Sequence, residues 1–144
     1  MTVFIDTAVL MYAGGQEHPL REPCRRLLGH VEAGRIDAVT SAEVVQEIFH
    51  RFLAVGRPET GADMARAALD LFAPVLSITH AIMLRMPELV SRHSNLSSRD
   101  LIHAATCLDL GIGAIVSPDR AFDNVTELTR IGPGDTRALA VHVR

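Results

Sequence analysis

The chain contains no lysine and no tryptophan; its 14 basic residues are all arginine, and they face 17 acidic residues. The formal net charge is therefore −3, so the chain as a whole offers no general electrostatic attraction for a polyanion such as nucleic acid. Aromatic residues make up only 4% of the sequence, which leaves few rings for an extended base-stacking surface. Any nucleic-acid binding must therefore be local.

Cysteine and long apolar runs are also scarce. Cys24 and Cys107 form no Cys-x-x-Cys pair of the metal-binding kind, and we expect both to be buried small residues rather than disulfide partners. No apolar run approaches the roughly 20 residues that span a bilayer. Residues 1–6 carry no basic region of the signal-peptide kind. These absences predict a soluble, cytoplasmic protein with no membrane partner.

Short apolar segments alternate with amphipathic ones along the 144 residues, with no internal repeat or linker-like stretch. This organisation predicts one domain over residues 1–144. Strands are predicted at 2–5, 36–39, 75–78, 114–116 and 127–131. Helices are predicted after the first strand and at about 23–33, 40–55, 58–72, 79–93 and 97–110, with a break or kink at Pro87. The alternation predicts a three-layer α/β/α sandwich with a mostly parallel central sheet.

Acidic residues follow two of the predicted strands. Asp6 comes directly after the first strand, and Asp119 follows the fourth strand after two intervening residues. Ligand sites of such folds lie beyond the carboxyl ends of the strands, so the two carboxylates are expected at one sheet edge. Each of them can also be explained as the cap of a helix.

Acidic residues also occupy two predicted helices. Thr40 and Glu43 have the spacing of a capping box, as do Ser97 and Asp100, so Asp100 has both a capping and a functional interpretation. Glu47 lies too far into its helix to cap it, and its alternative is an ordinary solvent-facing glutamate.

Together, the four acids Asp6, Glu47, Asp100 and Asp119 would suit a hard cation such as Mg²⁺ or Mn²⁺. His103, one turn from Asp100, is predicted to be a helix-surface histidine rather than a ligand. If the cluster exists, a divalent ion explains it better than capping does, because like charges crowded into one pocket repel each other.

Four segments of the chain occur in the order found in one known family: residues 4–10, 40–48, 97–105 and 116–123. Through them the sequence resembles the PIN-domain ribonucleases, and among these the VapC-type toxins of bacterial toxin–antitoxin pairs. The resemblance implies a PIN-like fold, metal-dependent endoribonuclease activity on RNA, inhibition by a cognate antitoxin and, usually, a homodimer.

The resemblance also assigns roles to individual residues. The catalytic acids are Asp6, Glu47, Asp100 and Asp119, of which Asp6, Asp100 and Asp119 ligate the metal. Accessory positions are Asp123, Ser117 and Glu43, the last being the alternative to Glu47 as the helical acid. The sequence departs from the common pattern at Ala8, where asparagine is usual.

Several predictions about binding and alternative function stay open. Arg51, Arg57 and Arg99 flank the segments that carry Glu47 and Asp100, so they are candidates for RNA contact as well as ordinary surface arginines. The apolar content of 44–52 and 64–72 indicates a dimer or antitoxin surface. Two alternatives to the ribonuclease function also stay open. The first is a non-catalytic PIN-like interaction module, and the second is an α/β phosphatase or phosphoacceptor. The second fits poorly, because no lysine is present to assist the phosphoryl group.

Overall fold

The computed structural model describes residues 1–144. Four parallel strands form one sheet in the order β2-β1-β3-β4. The strands are β1 (Val3–Ile5), β2 (Ala38–Val39), β3 (Ala114–Val116) and β4 (Thr129–Ile131). The register pairs Phe4 with Ile115 and Ile5 with Val116. All residues of β1 and β3 are buried, as expected for strands covered on both faces, and their apolar, largely β-branched sequences suit that environment.

Helices connect the strands and cover the sheet. They are α1 (Thr7–Gly14), α2 (Arg21–Glu32), α3 (Ala42–Ala54), α4 (Pro58–Leu71), α5 (His80–Leu84), α6 (Met86–Arg92), α7 (Ser98–Leu110), a 3-10 helix (Arg120–Asn124) and α8 (Thr136–Ala140). The β1-to-β2 and β2-to-β3 connections run in opposite directions across the sheet, so right-handed crossovers put α1–α2 and α7 on opposite faces. The predicted three-layer α/β/α sandwich is confirmed.

Local sequence explains where the helix that carries Asp100 begins and ends. The Ser97 hydroxyl accepts a hydrogen bond from the Asp100 backbone N–H at 3.2 Å, which caps the start of α7. Gly111 ends α7 in the left-handed conformation, with φ of 69°. The predicted break near Pro87 is also confirmed, because α5 ends at Leu84 and α6 begins at Met86.

The capping box predicted for Thr40 and Glu43 is wrong. The Thr40 hydroxyl instead donates to the Ile5 carbonyl oxygen at 2.8 Å, and Ser41 is the N-cap of α3 without a side-chain bond. The Glu43 carboxylate faces Arg99, 3.9 Å away. Thr40 therefore ties the end of β1 to the start of the α3 segment, which positions one part of the site described below.

The strand predicted at 75–78 is reduced to a single bridge. Leu76 pairs in parallel with Ser41, but Ser41 is the N-cap of α3 and the chain turns into the helix there, so the ladder cannot extend further. The expectation for the cysteines is confirmed, since Cys24 and Cys107 are buried and free. None of the helices combines the length and the apolar character that crossing a bilayer requires.

Candidate active site

Asp6 lies at the carboxyl end of β1, where the residue is only 5% exposed. Its Oδ1 accepts a hydrogen bond from the Thr7 backbone N–H at 2.8 Å, and its Oδ2 accepts one from the Ser117 hydroxyl at 2.6 Å. Burial raises the pKa of this carboxyl above 3.8, against the opposing influence of His103 and Ser117. The charged form of Asp6 is therefore poorly compensated.

Glu47 is buried on α3, so its solvent-facing interpretation is wrong. Its Oε1 accepts a hydrogen bond from the Thr7 hydroxyl at 3.0 Å, and its Oε2 faces the Arg51 guanidinium, with Nη2 at 3.1 Å. Burial raises the pKa of this carboxyl, but His103, Thr7 and Arg51 together outweigh it and lower the pKa from 4.5 to about 2. The Glu47 side chain is therefore ionised at neutral pH, and its carboxylate is held in position by its partners.

His103 lies between these two acids, which contradicts the prediction of a helix-surface histidine. Its side chain is 0% exposed, and its ring packs against Phe4 with 5.4 Å between ring centroids. Its Nε2 is 3.7 Å from Asp6 Oδ1 and 3.5 Å from Glu47 Oε1. Neither ring nitrogen has a hydrogen-bond partner, because the approach to Glu47 does not meet hydrogen-bond geometry.

Asp100 projects from the first turn of α7 towards the same place. One of its carboxylate oxygens, an Asp6 oxygen and a His103 ring nitrogen all lie within 4.8 Å of one another. Burial raises the pKa of Asp100 above 3.8, and the neighbouring carboxylates of Asp119 and Glu47 add to the rise. The structure thus brings Asp6, Glu47 and Asp100 together around His103.

Asp119 lies at the same sheet edge but outside this tight cluster. Its backbone N–H donates to the Ser117 hydroxyl at 3.0 Å, so one hydroxyl links Asp119 to Asp6. Its own Oδ1 accepts from the Ala121 backbone N–H at 2.9 Å and caps the 3-10 helix, as the alternative interpretation of this residue predicts. The other carboxylate oxygen makes no such bond.

Two of the accessory acids are engaged elsewhere. The Asp123 carboxylate is held by Arg130, with Nε to Oδ1 at 2.9 Å, and Arg130 Nη1 also donates to the Ser117 carbonyl oxygen. Glu43 faces Arg99 instead of the cluster. Of the two helical glutamates, Glu47 is therefore the one that lies beside His103 and whose charge acts on Asp6 and Asp100.

Two clefts open beside the acids. One, of about 440 Å³, is lined by Ala8, Met11, Tyr12, Arg51, Pro118 and Asp119. The second, of about 480 Å³, is lined by Met11, His50, Arg51, Phe52, Ala54, Val55 and Arg99. Both clefts are lined by Met11 and Arg51, and Arg51 contacts Glu47. Arg57 packs over the Phe52 ring, 5.9 Å from its centroid, and lines neither cleft.

The residues present fit a divalent metal ion. The carboxylates of Asp6 and Asp100 repel each other in a partly buried space, and the ring nitrogens of His103 are buried without a partner. A cation placed among them offsets the repulsion and supplies the missing interaction. The burial of His103 does not follow from the apolar pattern of α7, which predicts one buried stripe only.

A known protein family and curated relatives match most of the chain. The PIN domain family matches residues 3–128. Ribonuclease VapC23 of Mycobacterium tuberculosis is 37% identical over 120 residues, which is 83% of this chain and 94% of that protein.

Solved structures share the fold. VapBC2 from Rickettsia felis, bound to a DNA fragment from its promoter, has a TM-score of 0.73 at 15% identity and covers 92% of this chain and 98% of that chain. A toxin–antitoxin complex from Klebsiella pneumoniae has a TM-score of 0.66 at 17% identity and covers 91% and 97% of the two chains. By fold and sequence, the chain belongs to the PIN-domain family, among the VapC ribonucleases.

Proposed function

We propose that residues 1–144 form one PIN-like domain that cuts RNA phosphodiester bonds internally with the help of a divalent metal ion, as the toxin of a toxin–antitoxin pair. The observation that carries the proposal is the cluster of Asp6, Asp100 and His103, with ligand atoms within 4.8 Å of one another at the carboxyl edge of the sheet. The ribonuclease relative supports the choice of substrate.

In this site Asp6, Asp100 and Asp119 are the acids that hold the ion, which is Mg²⁺ or Mn²⁺. Ser117 fixes the Asp6 carboxylate, and the Asp119 oxygen that does not cap the 3-10 helix is available as a ligand. When bound, the ion supplies positive charge that makes a water molecule a better nucleophile and offsets charge on the phosphate.

Glu47 has a different task from the other acids. Its pKa of about 2 makes it a weak base at neutral pH, but its charge makes it a strong hydrogen-bond acceptor. Thr7 and Arg51 hold its two oxygens, which fixes the direction of the carboxylate. We assign Glu47 to orienting the attacking water in line with the scissile bond.

The RNA backbone follows the path formed by the two clefts. Arg51 lines both clefts and Arg99 lines the second, so these two cations offset the phosphate charge near the acids. Arg57 packs on Phe52 and lines neither cleft, so we do not assign it an RNA contact. With few aromatic residues nearby, recognition rests on the shape of a short exposed RNA segment.

A phosphoacceptor role for Asp6 is disfavoured by the same contacts. Both of its carboxylate oxygens already accept hydrogen bonds from the protein, from Thr7 and Ser117, and the side chain is almost completely buried. No lysine is present to assist a phosphoryl group. Phosphorylation of Asp6 by a small-molecule phosphodonor, detected by mass spectrometry, would replace the nuclease proposal.

We further propose that the antitoxin occupies the apolar groove between α1, α2 and α4. This groove has a volume of about 350 Å³ and is lined by Leu10, Ala13, Gly14, Leu28, Thr60, Asp63, Met64, Ala67, Ala68 and Leu71. The toxin–antitoxin complex from Klebsiella pneumoniae is a structural neighbour of this chain. Co-expression with the product of an adjacent small reading frame, followed by co-purification, tests the partnership, and Gly14→Leu is expected to abolish it.

A homodimer is proposed from a separate surface. Phe49, Leu53 and Val55, near the end of α3, expose large apolar side chains. Sedimentation of the purified chain is expected to give a dimer that Leu53→Asp converts to a monomer. Val141→Asp, at another exposed apolar position, is the control and leaves the dimer intact.

Incubation of the purified protein with total cellular RNA, with and without Mg²⁺, tests the activity directly. New RNA ends are expected only with the ion, and sequencing of those ends identifies the bond that is cut. Asp6→Asn is expected to remain folded and to lose cleavage, whereas Asp70→Asn, at an exposed carboxylate on α4, retains it. A fully active Asp6→Asn protein overturns the assignment.

Metal titration separates this proposal from the non-catalytic alternative. Calorimetry is expected to show one acid-dependent site for Mg²⁺ or Mn²⁺ in the wild-type chain and none in Asp6→Asn. A wild-type chain that binds neither ion is an interaction module rather than a metal-dependent nuclease.

A further inference from the structure

His103 is a fully buried histidine beside the acids of the site, and its ring has no hydrogen-bond partner. It is a polar side chain with no exposure and no hydrogen-bond partner for either ring nitrogen, in the part of the core next to the acids. Buried polar groups are almost always paired, and leaving one unpaired costs about 1–3 kcal/mol. A leucine or an alanine would fill this place without that cost. The imidazole therefore needs an interaction that the protein alone does not supply.

The position of the ring nitrogen matches that of a metal ligand. Metal–ligand distances of about 2.1 Å place neighbouring ligands of a six-coordinate ion roughly 3.0 Å apart and opposite ones roughly 4.2 Å apart. His103 Nε2 lies 3.7 Å from Asp6 Oδ1, between these two values. The Asp100 oxygen completes a triangle whose sides are all within 4.8 Å, so small side-chain movements bring all three atoms to one ion.

We propose that His103 Nε2 is a direct ligand of the metal ion beside Asp6 and Asp100, and that this nitrogen makes the site prefer Mn²⁺ to Mg²⁺. The inference rests on the proposed metal centre and names a ligand and a metal preference for it. Glu47, 3.5 Å from the same nitrogen, then accepts from water rather than from the imidazole.

The metal preference follows from ligand chemistry. Carboxylate and water oxygens suit Mg²⁺, which gives up its hydration water reluctantly and is seldom held by imidazole. Imidazole nitrogen binds first-row transition metals well, and Mn²⁺ is the first of that series while still accepting carboxylates. Replacing one oxygen position by nitrogen therefore gains affinity for Mn²⁺ and gains none for Mg²⁺.

The competing explanation is that His103 is a positioning residue that donates a hydrogen bond to Glu47 or Asp6. In that case the imidazole lies outside the coordination sphere. Loss of the side chain would then change affinity for both metals by a similar factor. The two roles differ in whether the nitrogen touches the metal, and that contact can be measured without any assay of RNA cleavage.

Pulsed electron paramagnetic resonance of the wild-type chain with bound Mn²⁺ measures the contact directly. Electron spin echo modulation from a directly coordinated ¹⁴N nucleus is expected, and growth with ¹⁵N-labelled histidine is expected to change its frequencies. Mn²⁺ bound at the acids without nitrogen modulation overturns the inference but leaves the proposed function standing. A chain that binds no divalent ion overturns both.

Substitution identifies which of the seven histidines supplies the nitrogen. His103→Leu fills the same space without a ligand, and the matched control is His93→Leu, at a buried histidine outside the metal cluster whose Nε2 also has no partner. Calorimetry is expected to show that His103→Leu lowers the Mn²⁺-to-Mg²⁺ affinity ratio about tenfold and removes the nitrogen modulation, while His93→Leu changes neither. An unchanged ratio in folded His103→Leu contradicts the proposal. Should His103→Leu fail to fold, the isotope experiment on the wild-type chain still decides whether a histidine nitrogen touches the ion, and His103 is the one histidine in the Asp6 and Asp100 cluster.

Discussion

The Ser117 hydroxyl donates a 2.6 Å hydrogen bond to Asp6 Oδ2, although 111 positions separate the two residues in the chain. The same hydroxyl accepts a hydrogen bond from the Asp119 backbone N–H. It therefore joins the carboxyl end of β1 to the turn that follows β3. A single small side chain thereby fixes the separation of two of the acids. Alanine and valine at this position cannot make either bond.

Ser117→Ala is expected to lower the free energy of unfolding by about 1–3 kcal/mol at neutral pH, because a buried carboxylate loses its donor. Urea denaturation measures this. Thr106→Val is the matched control, since it keeps the shape of the side chain and removes a hydroxyl that is equally buried but donates to the neutral Ile102 carbonyl oxygen at 2.8 Å. Its expected cost is about 0.5–1.5 kcal/mol. Equal losses of unfolding free energy in the two variants would mean that the hydrogen bond to the Asp6 carboxylate stabilises the fold no more than a bond to a neutral acceptor.

Asp6→Asn is expected to stabilise the metal-free protein at pH 7 by about 1–3 kcal/mol, because it removes a buried, poorly compensated charge. The folded-state pKa of Asp6 is raised. The favourable contribution of this group to the free energy of unfolding is therefore fully present below its ordinary pKa of 3.8, and it is lost as pH rises through the folded-state pKa. The difference in the free energy of unfolding between Asp6→Asn and the wild-type chain is therefore expected to shrink as pH falls towards 4. Saturating Mg²⁺ is expected to reverse the order, which thermal unfolding with and without chelator measures.

Glu47→Gln is expected to have the opposite effect. The pKa of Glu47 is lowered from 4.5 to about 2, so its charge stabilises the fold above pH 4.5 and this contribution is lost as pH falls through 2. The variant is expected to lower the free energy of unfolding at pH 7 by about 1–3 kcal/mol, because the Glu47 carboxylate accepts a hydrogen bond from Thr7 and faces Arg51. Denaturation curves from pH 7 to pH 2 should show the wild-type and variant proteins converging. A constant difference across that range contradicts the prediction.

Two helical glycines give a matched test of helix packing. A Cβ at Gly61 on α4 would lie 2.8 Å from Phe52 Cβ on α3, whereas a Cβ at Gly29 on α2 meets nothing within 4 Å. Gly29→Ala is expected to stabilise the protein by about 0.5–1 kcal/mol through helix propensity. Gly61→Ala is expected to destabilise it by about 1–3 kcal/mol, because α3 and α4 must move apart. Chemical denaturation of both variants distinguishes the two effects.

Arg99→Ala is expected to weaken RNA binding and to reduce the slope of log affinity against log salt by about 1, since one phosphate contact is lost. Arg57→Ala, outside both clefts, is expected to leave the slope unchanged. Fluorescence anisotropy with a non-cleavable RNA in the presence of chelator measures binding alone. A larger effect from Arg57 than from Arg99 would contradict the proposed RNA path.

Parts of the fold follow directly from the sequence. β1 and β3 are short, apolar and largely β-branched segments, and a parallel sheet buried on both faces requires such strands. Segment 75–78 has a similar composition but forms only the Leu76 bridge, because its partner Ser41 begins α3. Strand composition is local information, whereas the length of a ladder depends on where the neighbouring strand ends.

The site was harder to predict for the same reason. Asp6 and Asp119 follow strands and can be placed at one edge from sequence, but Asp100 and Glu47 needed the family resemblance. His103 was missed because the apolar pattern of α7 indicates one buried stripe, whereas neighbouring elements bury the helix more widely. The run of small residues after it, Ala104 to Cys107, is the signal of close packing that could have revealed its burial.

The bond between Ser117 and Asp6 has a consequence for the synthesis of the protein. β1 pairs with β3, so a ribosome must translate 111 further codons after that of Asp6 before the first acid can meet its hydroxyl partner. Prematurely terminated chains that stop before Ala114 lack this bond, the β3 ladder and Asp119. A cell that makes this protein is therefore exposed to its chemistry only by translation products that extend past Asp119.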